Sequence, residues 1–459
     1  GMTLHWVSQP ETFAPRVEAV PATLTDGEGA LVAYIWERKD IPGIRDEGNS
    51  PPLSQLVHSV KVSTCPDHLV AMRRAESLFL GRDESDDVFQ ILTAKLASPE
   101  MSDREKTDAV YQWIQDNIQS GGSANRTVLD VLHLGEGSSL ERALLARTLL
   151  DHLNIDSRIQ FSFELGSESQ TPPIPLGDRY GSPLLFVEDA TGESRLLDLS
   201  SQYLSPGEIT ASFLNGLLLN VDSLGYSVEP AATQQVNAGW IARDLKFKFL
   251  NLDSTEVGGE LVYEGLYRPL MRQMLEDRRV AERVLDQQVA KQLHGLVTEH
   301  SMPVLESNQA PRLQFKGRMP HMLIPSGSSE DNSGAFEFVP ITDPADLSSL
   351  VPDATREHPM VFTQWVVIQP YQATFAFEGE RGGSSLDGFV FRHIPDDQVL
   401  MTEFGIHVIT YRLRGDVLRV RRSLIVPQQR ISVDKYPRFA RFCRLVDETE
   451  KRKIVVERF

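Results

Sequence analysis

An apolar helix that begins directly after Gly137 is the feature that most restricts how this chain can fold. Leucine recurs along it at positions 140, 144, 145 and 149, which predicts a helix to about residue 153. A second predicted helix precedes it and begins with the capping box Ser102-Asp103-Arg104-Glu105. Strand patterns follow at 158–163, 184–188 and 195–199. Helices followed by an antiparallel sheet predict an α+β domain.

The 459 residues leave room for about three domains of ~150 residues each. Residues 1–65 carry strand patterns and are interpreted as the tail of an N-terminal β domain. Residues 66–215 form the predicted helix-and-sheet domain. Residues 235–459 are predicted to be β-rich, with one long helix over 269–294 and a terminal helix over 433–448.

Charge limits the classes of partner that this chain can bind. The formal net charge is -18, which argues against nucleic acid or an anionic membrane surface as the main partner. No apolar run reaches the ~18 residues needed to span a bilayer, so no transmembrane segment is predicted. Composition does not identify the partner, which stays an unknown protein, peptide or glycan ligand.

Cysteine and histidine spacing gives no indication of a metal or a cofactor. Cys65 and Cys443 are the only cysteines, and we expect two ordinary buried thiols rather than a disulfide. His393 and His407 lie in one region without the spacing of metal ligands.

The order of motifs from Val110 to Asp198 resembles the transglutaminase-like domains of the papain type. The helix carrying Val110-Tyr111-Gln112-Trp113-Ile114 resembles the one that precedes the family's catalytic segment, and Gly137-Ser138-Ser139 resembles its Gly-Asp-Cys turn. Residues 140–160 resemble its Leu-rich helix and following strand, and Leu197-Asp198-Leu199-Ser200 resembles the segment at its third triad position. The resemblance implies a papain-like arrangement of helices and antiparallel sheet.

The chemistry of that family needs a cysteine at a helix N-terminus, where the helix dipole stabilises thiolate, together with a histidine base and an orienting carboxylate. Ser139 stands in the cysteine position, and Ser182 or Pro183 stands where the histidine is expected. Asp198 alone matches the triad. The resemblance therefore implies a pseudoenzyme that binds a peptide or glycan, or acts as a scaffold.

Other interpretations of these residues remain open. Ser139 is expected to serve as a helix N-cap, and Asp198 as a strand-end carboxylate that caps a turn. The alternative function is a divergent hydrolase or transamidase that uses Ser139 or displaced residues, with His133 or His152 as its base. Since His152 lies ~20 Å along the same predicted helix, only His133 is compatible with this geometry. A structural subunit of a surface assembly is a third hypothesis.

Flanking segments extend the resemblance to bacterial multidomain proteins in which a β domain of unknown function precedes the transglutaminase-like domain. Pro51-Pro52 and Val62-Ser63-Thr64 carry it on one side, and Tyr263-Glu264-Gly265 with 431–436 on the other. Such proteins are periplasmic, secreted or surface-exposed, so the resemblance implies an extracytoplasmic setting. The chain shows no signal peptide, but Gly1-Met2 resembles the remnant of a cleaved tag and leaves the compartment open.

A basic cluster surrounds the predicted hairpin turn at Gly415-Asp416. It consists of Arg412, Arg414, Arg419, Arg421 and Arg422. One interpretation is a site for an anion or an acidic partner. We favour a solvated outer strand face whose arginines pair with nearby acids.

Overall fold

A computed structural model shows a mixed α+β chain with a β-rich C-terminal region, as the sequence predicts. It describes residues 3–9, 12–20, 31–41, 43–51, 53–67, 70–71, 86–121, 126–163, 183–210, 217–221, 226–230, 239–265, 267–276, 287, 289, 293, 295–305, 309–326, 334–352, 355–362, 371–377, 388–427 and 429–458. The chain divides into two compact units. Unit 1 comprises Gly1–Asp46 and Pro51–Val236, and unit 2 comprises Glu47–Ser50 and Asn237–Phe459.

The described part of unit 1 contains five helices, and the last of them is central. They are α1 (Leu53–Leu56), α2 (Asp86–Leu96), α3 (Asp103–Asn117), α4 (Val128–Leu134) and α5 (Ser139–His152). Residues 141–146 of α5 are all buried, because α2, α3, α4 and the sheet pack around it. The capping box at Ser102 is confirmed: Glu105 accepts from the Ser102 amide at 2.8 Å, and Ser102 accepts from the Glu105 amide at 3.3 Å.

Antiparallel strands follow the central helix of unit 1. Their order in the five-stranded sheet is β11 (Tyr226–Pro230), β10 (Leu217–Val221), β7 (Asp156–Phe163), β8 (Pro183–Glu188) and β9 (Ser194–Leu197). Smaller pairs are β1 (His5–Gln9) with β4 (Ser59–Ser63), β2 (Arg16–Val20) with β3 (Leu31–Ile35), and the parallel pair β5 (Gln119–Ser120) with β6 (Glu136–Gly137).

Unit 2 is built on an eight-stranded sheet. Its order is β14 (Val297–Val304), β15 (Arg312–Pro320), β13 (Ser254–Glu264), β12 (Trp240–Phe249), β19 (Tyr371–Phe377), β23 (Val417–Ile425), β22 (Gly405–Arg414) and β21 (Gln398–Thr402). Among the described strands of this sheet, only β12 and β19 pair in parallel. Strict alternation of buried and exposed residues along β15 and β23 gives this sheet one core face and one outer face.

Smaller elements pack on the core face of this sheet. A four-stranded sheet contains β16 (Ile324–Pro325), β17 (Ala335–Phe338), β25 (Ile454–Arg458) and β20 (Phe389–His393), and β18 (Met360–Phe362) pairs with β24 (Gln429–Ile431). Helix α6 (Tyr267–Glu276) contacts β13, and α7 (Tyr436–Glu450) packs against a short 3-10 helix at Leu347–Leu350.

Several predicted boundaries differ from the structure. The predicted helix over 269–294 is described as α6 only to Glu276, and most of its remainder lies outside the described residues. The terminal helix ends at Glu450 rather than 448. Helix α4 was not predicted, although Thr127 and Asp130 form a capping box there. No helix in the described part of the chain is long and apolar enough to cross a membrane.

A buried carboxylate joins α7 to the core face of the large sheet. Glu450 Oε1 accepts from Arg422 Nη1 at 2.9 Å and lies 3.2 Å from His407 Nε2, while Oε2 accepts from the Ala345 amide at 2.6 Å. Burial acts to raise the pKa of Glu450, but Arg422, His407 and the Ala345 amide outweigh it and hold that pKa below its usual value. The side chains of Glu450, Arg422 and His407 are all nearly inaccessible to solvent.

Replacement of Glu450 by alanine is expected to lower the free energy of unfolding by about 3–5 kcal/mol, since it leaves Arg422 buried without its partner. Urea unfolding at pH 7 measures this loss. The exposed Glu448 lies on the same helix and provides the control, because Glu448→Ala should change stability by less than about 0.5 kcal/mol. Comparable losses for both variants would contradict the assignment.

The lowered pKa of Glu450 also predicts a dependence of stability on pH. Its contribution is present above the unfolded pKa of about 4.5 and is lost as pH falls through the lower folded value. Unfolding curves measured between pH 7 and 3 should therefore converge for the wild type and Glu450→Gln at the acidic end. Curves that stay parallel would show that Glu450 is not ionised in the folded protein.

Candidate functional site

Ser139, the predicted nucleophile position, is the first residue of α5 and is half-buried. The N-cap is the residue before it. Ser138 Oγ accepts from the Glu141 amide at 3.3 Å, and the Glu141 carboxylate accepts from the Ser138 amide at 2.7 Å. The expectation that Ser139 caps the helix is therefore wrong by one position, because the reciprocal bonds of a capping box need a Glu three residues after the cap.

The turn before α5 is held tightly. Glu141 also accepts from the Arg126 amide at 2.8 Å, and Arg126 Nη1 donates to the Glu136 carbonyl at 3.2 Å. A Cβ atom on Gly137 would lie 3.0 Å from Val131 Cγ1. Glycine at this position lets the turn pack closely on α4, so the backbone that presents Ser139 has little freedom to move.

Asp198, the third predicted site residue, follows β9 and is completely buried. Its Oδ1 accepts from the Ser200 amide at 2.9 Å, and its Oδ2 accepts from the Thr210 amide at 2.8 Å. Burial raises the pKa of this carboxyl above its ordinary value, against the bonds from Ser200 and Thr210. Asp198 thus has the turn-capping geometry expected of a strand-end carboxylate, with both oxygens engaged by the backbone.

A buried polar network connects the helices to the segment after Asp198. Tyr111 Oη lies 2.9 Å from the Asp198 carbonyl and 3.2 Å from the Leu204 carbonyl. Arg142 Nη1 donates to the Leu199 carbonyl at 2.7 Å, and Arg142 Nη2 donates to Gln115 Oε1 at 2.5 Å. Burial lowers the pKa of Arg142 to about 10, while Tyr111 and Asp198 act to raise it.

Sequence reasoning gave no role to Arg142 or Gln115. The sequence does contain a signal for Arg142, because this charged residue interrupts the apolar helix directly after Glu141. The positions around it are buried. A long buried cation needs several acceptors. Without the tertiary structure, the acceptors could not be named, since two of the three elements that meet here are far apart in the sequence.

No described imidazole hydrogen-bonds to the Ser139 hydroxyl. His133 is exposed in the last turn of α4. His152 is the last residue of α5, ~20 Å from Ser139 along the helix axis. The sequence has no histidine between His152 and His294. Ser182, at the expected histidine position, lies outside the described residues, and the neighbouring Pro183 is buried at the start of β8.

The cysteines have different environments. Cys443 is buried in α7, and burial raises the pKa of its thiol to about 12. Cys65 is also free, but it is only half-buried, because it lies in a loop where its thiol contacts the Asp67 carbonyl. The expectation of two buried thiols thus holds for Cys443 alone. In the described parts of the chain, no group of His, Cys, Asp and Glu side chains could hold a metal ion.

The arginine cluster of the hairpin divides between the two faces of the sheet. Arg422 is buried on the core face with Glu450, so the interpretation of all five as a solvated face is wrong for this residue. The physical reason is the two-residue period of a strand, which places Arg421 and Arg422 on opposite faces. Arg412 pairs with Asp397 at 2.8 Å, as the solvated-face interpretation expects.

Comparisons with known proteins found a match to one family model and a fold shared with a solved structure. A family model described as a domain of unknown function with solved structure, DUF3858, matches residues 386–456. No curated protein matches the chain. A crystal structure described as a candidate protease from Parabacteroides distasonis ATCC 8503 is 13% identical, with 99% of this chain and 70% of that chain covered and a TM-score of 0.55. At this identity, the likeness shows a shared fold alone.

A second crystal structure is described as a candidate cysteine protease from Cytophaga hutchinsonii. It is 14% identical, with 43% of this chain and 65% of that chain covered. Its TM-score of 0.22 carries no argument about the fold.

The two neighbouring serines should respond differently to substitution. Ser138→Ala removes the cap and is expected to lower the free energy of unfolding by about 1 kcal/mol. Ser139→Ala should change it by less than about 0.5 kcal/mol, because its hydroxyl takes no part in the capping box. Thermal unfolding of the two variants measures the difference, and a larger loss for Ser139→Ala would overturn the assignment of the cap.

Proposed function

We propose that this chain is a non-catalytic protein of the transglutaminase-like, papain-type group. In this proposal it binds a peptide or glycan, or acts as a scaffold, in a bacterial extracytoplasmic setting. The setting rests on the resemblance of the flanking segments. The fold shared with a candidate protease supports the group, at the level of architecture.

The observation that carries the proposal is the state of the Asp198 carboxylate. In a triad, the carboxylate orients an imidazole and stabilises its charged form. Here both Asp198 oxygens accept backbone amides of the segment that follows it.

The nucleophile position supports the same conclusion. A serine hydroxyl needs a general base within hydrogen-bond reach, because its pKa is far above that of a cysteine and a helix N-terminus alone does not ionise it. The described residues place no base at Ser139. What persists is the rigid turn and the helix behind it, which preserve the shape of the fold without its chemistry.

The alternative is a divergent hydrolase that uses Ser139. One observation favours it: the Ser139 hydroxyl is left free by the capping box, at the N-terminus of a buried helix. The helix dipole would stabilise an oxyanion formed there. This alternative needs a base supplied by residues outside the described part of the chain.

Labelling with a fluorophosphonate probe separates the two functions, because the probe reacts with activated serines. We expect no labelling of the wild type above the level of Ser139→Ala, and equal background rates of ester hydrolysis for both proteins. The assays should cover pH 6 to 9, so that a base of any ordinary pKa is deprotonated in part of the range.

Two outcomes would contradict the proposal. One is probe labelling that disappears in Ser139→Ala. The other is a hydrolysis rate that falls about tenfold or more in that variant, while the neighbouring Ser138→Ala retains activity despite its lower stability. Since Ser138 and Ser139 share the same turn, this comparison distinguishes loss of a nucleophile from loss of helix stability.

A further inference from the structure

The outer face of the eight-stranded sheet in unit 2 carries an excess of positive charge, although the whole chain has a net charge of -18. The excess lies on the outward positions of the six strands β15, β13, β12, β19, β23 and β22; on the neighbouring β14, Glu299 pairs with Arg318 at 2.9 Å. Four carboxylates occupy such positions: Asp244, Glu256, Glu260 and Glu264. The cationic positions are more numerous: Lys246, Lys248, Arg312, Lys316, Arg318, Arg412, Arg414, Arg419 and Arg421.

The strand register aligns several of these positions in one row across the sheet. Lys316 on β15 is the register partner of Gly258 on β13. Gly258 is also the partner of Lys246 on β12, and Lys246 is the partner of Thr374 on β19. Thr374 pairs with Arg419, which pairs with Arg412. We call these six positions the basic row: Lys316, Gly258, Lys246, Thr374, Arg419 and Arg412.

The spacing within the basic row is regular. Neighbouring strands lie about 4.8 Å apart, so Lys316, Lys246 and Arg419 follow one another at intervals of about 10 Å. The small residues Gly258 and Thr374 separate them. A cavity of about 850 Å³ lies over the part of the row from Lys316 to Thr374, and its lining also includes the carboxylates Asp244, Glu256 and Glu260. The cavity therefore leaves space above this part of the row for a chain that crosses the strands.

Two of the carboxylates near the basic row pair with cations, and a third accepts from a neutral amide. Glu256 pairs with Lys316 at 2.9 Å, Glu260 lies 3.7 Å from Arg312, and Asp244 accepts from Gln372 at 3.3 Å. By contrast, the side chains of Lys246 and Arg419 are exposed and make no hydrogen bond or ion pair with a described residue. The centre of the row thus presents two cations that local acids do not neutralise.

We propose that the basic row binds an extended acidic segment of a partner protein, with a carboxylate at every third residue. An extended chain advances about 3.3 Å per residue, so carboxylates three residues apart repeat at the interval of about 10 Å that separates the cations. Complementary charge at this spacing gives orientation as well as attraction. The proposal concerns unit 2 alone and goes beyond the function proposed for Ser139, so it does not depend on whether that serine is inert.

Fluorescence anisotropy with labelled peptides tests the spacing. The probe repeats Asp-Ser-Gly four times, and its matched control has the same composition with the four aspartates adjacent. We expect the spaced peptide to bind about fivefold to tenfold more tightly, and its affinity to fall as salt rises, because these charges are exposed to solvent. Equal affinity for both peptides would overturn the proposal.

A charge-matched pair of variants tests the location. Lys246→Gln/Arg419→Gln is expected to weaken binding of the spaced peptide about tenfold. Arg441→Gln/Arg444→Gln removes the same charge from exposed positions on α7 and should change the affinity less than twofold. Since all four side chains are exposed, both variants should show the thermal unfolding of the wild type. Equal weakening by the two variants would show attraction by net charge only and would contradict the assignment.

Competition identifies the chemical class of the occupant. Polygalacturonate carries carboxylates on a sugar chain, and we expect it to displace the spaced peptide only at higher concentrations of carboxylate. Displacement at a lower concentration of carboxylate would assign the row to an acidic glycan and would reject a protein partner.

Discussion

Burial of the Arg142 guanidinium is the constraint on which the arrangement of unit 1 depends. A charged group that is inaccessible to solvent must find acceptors inside the protein, because an unpaired buried charge costs several kcal/mol. Arg142 finds them in the Leu199 carbonyl and in Gln115, which lie on two other segments. Helix α5, helix α3 and the chain after β9 therefore hold one relative position, and that position also determines where Ser139 and Asp198 lie.

Local contacts also hold the turn before α5 and the end of β9 in place. The glycine turn, the central helix and the strand-end aspartate all have structural partners that are independent of catalysis. Gly137 permits close packing on α4, Ser138 and Glu141 close the helix end, and Asp198 bonds two backbone amides. The side chain of Ser139 belongs to none of these contacts, so the turn does not depend on which small side chain stands at that position.

The strands of the large sheet in unit 2 carry charged side chains on both faces, but in two different environments. On the core face, Tyr371 lies between two register neighbours, Arg243 and Arg422. Asp343 pairs with Arg243, and Glu450 pairs with Arg422. The Arg422 guanidinium also lies 5.5 Å from the centre of the Tyr371 ring. On the outer face, the cations stay in solvent, where charge costs little and remains available to a partner. The pleat alone determines which arginines belong to which set.

The sequence by itself determined the local structure of this protein and the residue types that stand at its candidate site. Capping residues and apolar periodicity gave α3, α5 and the strands that follow, because these signals act over a few residues. The serine at position 139 and the lack of histidine between His152 and His294 are likewise read directly from the sequence. Only the tertiary structure decided the partners of Arg142, the burial of Arg422 and the alignment of the basic row. Each of these depends on strand register or on contacts between distant segments, and no local pattern encodes which strands become neighbours.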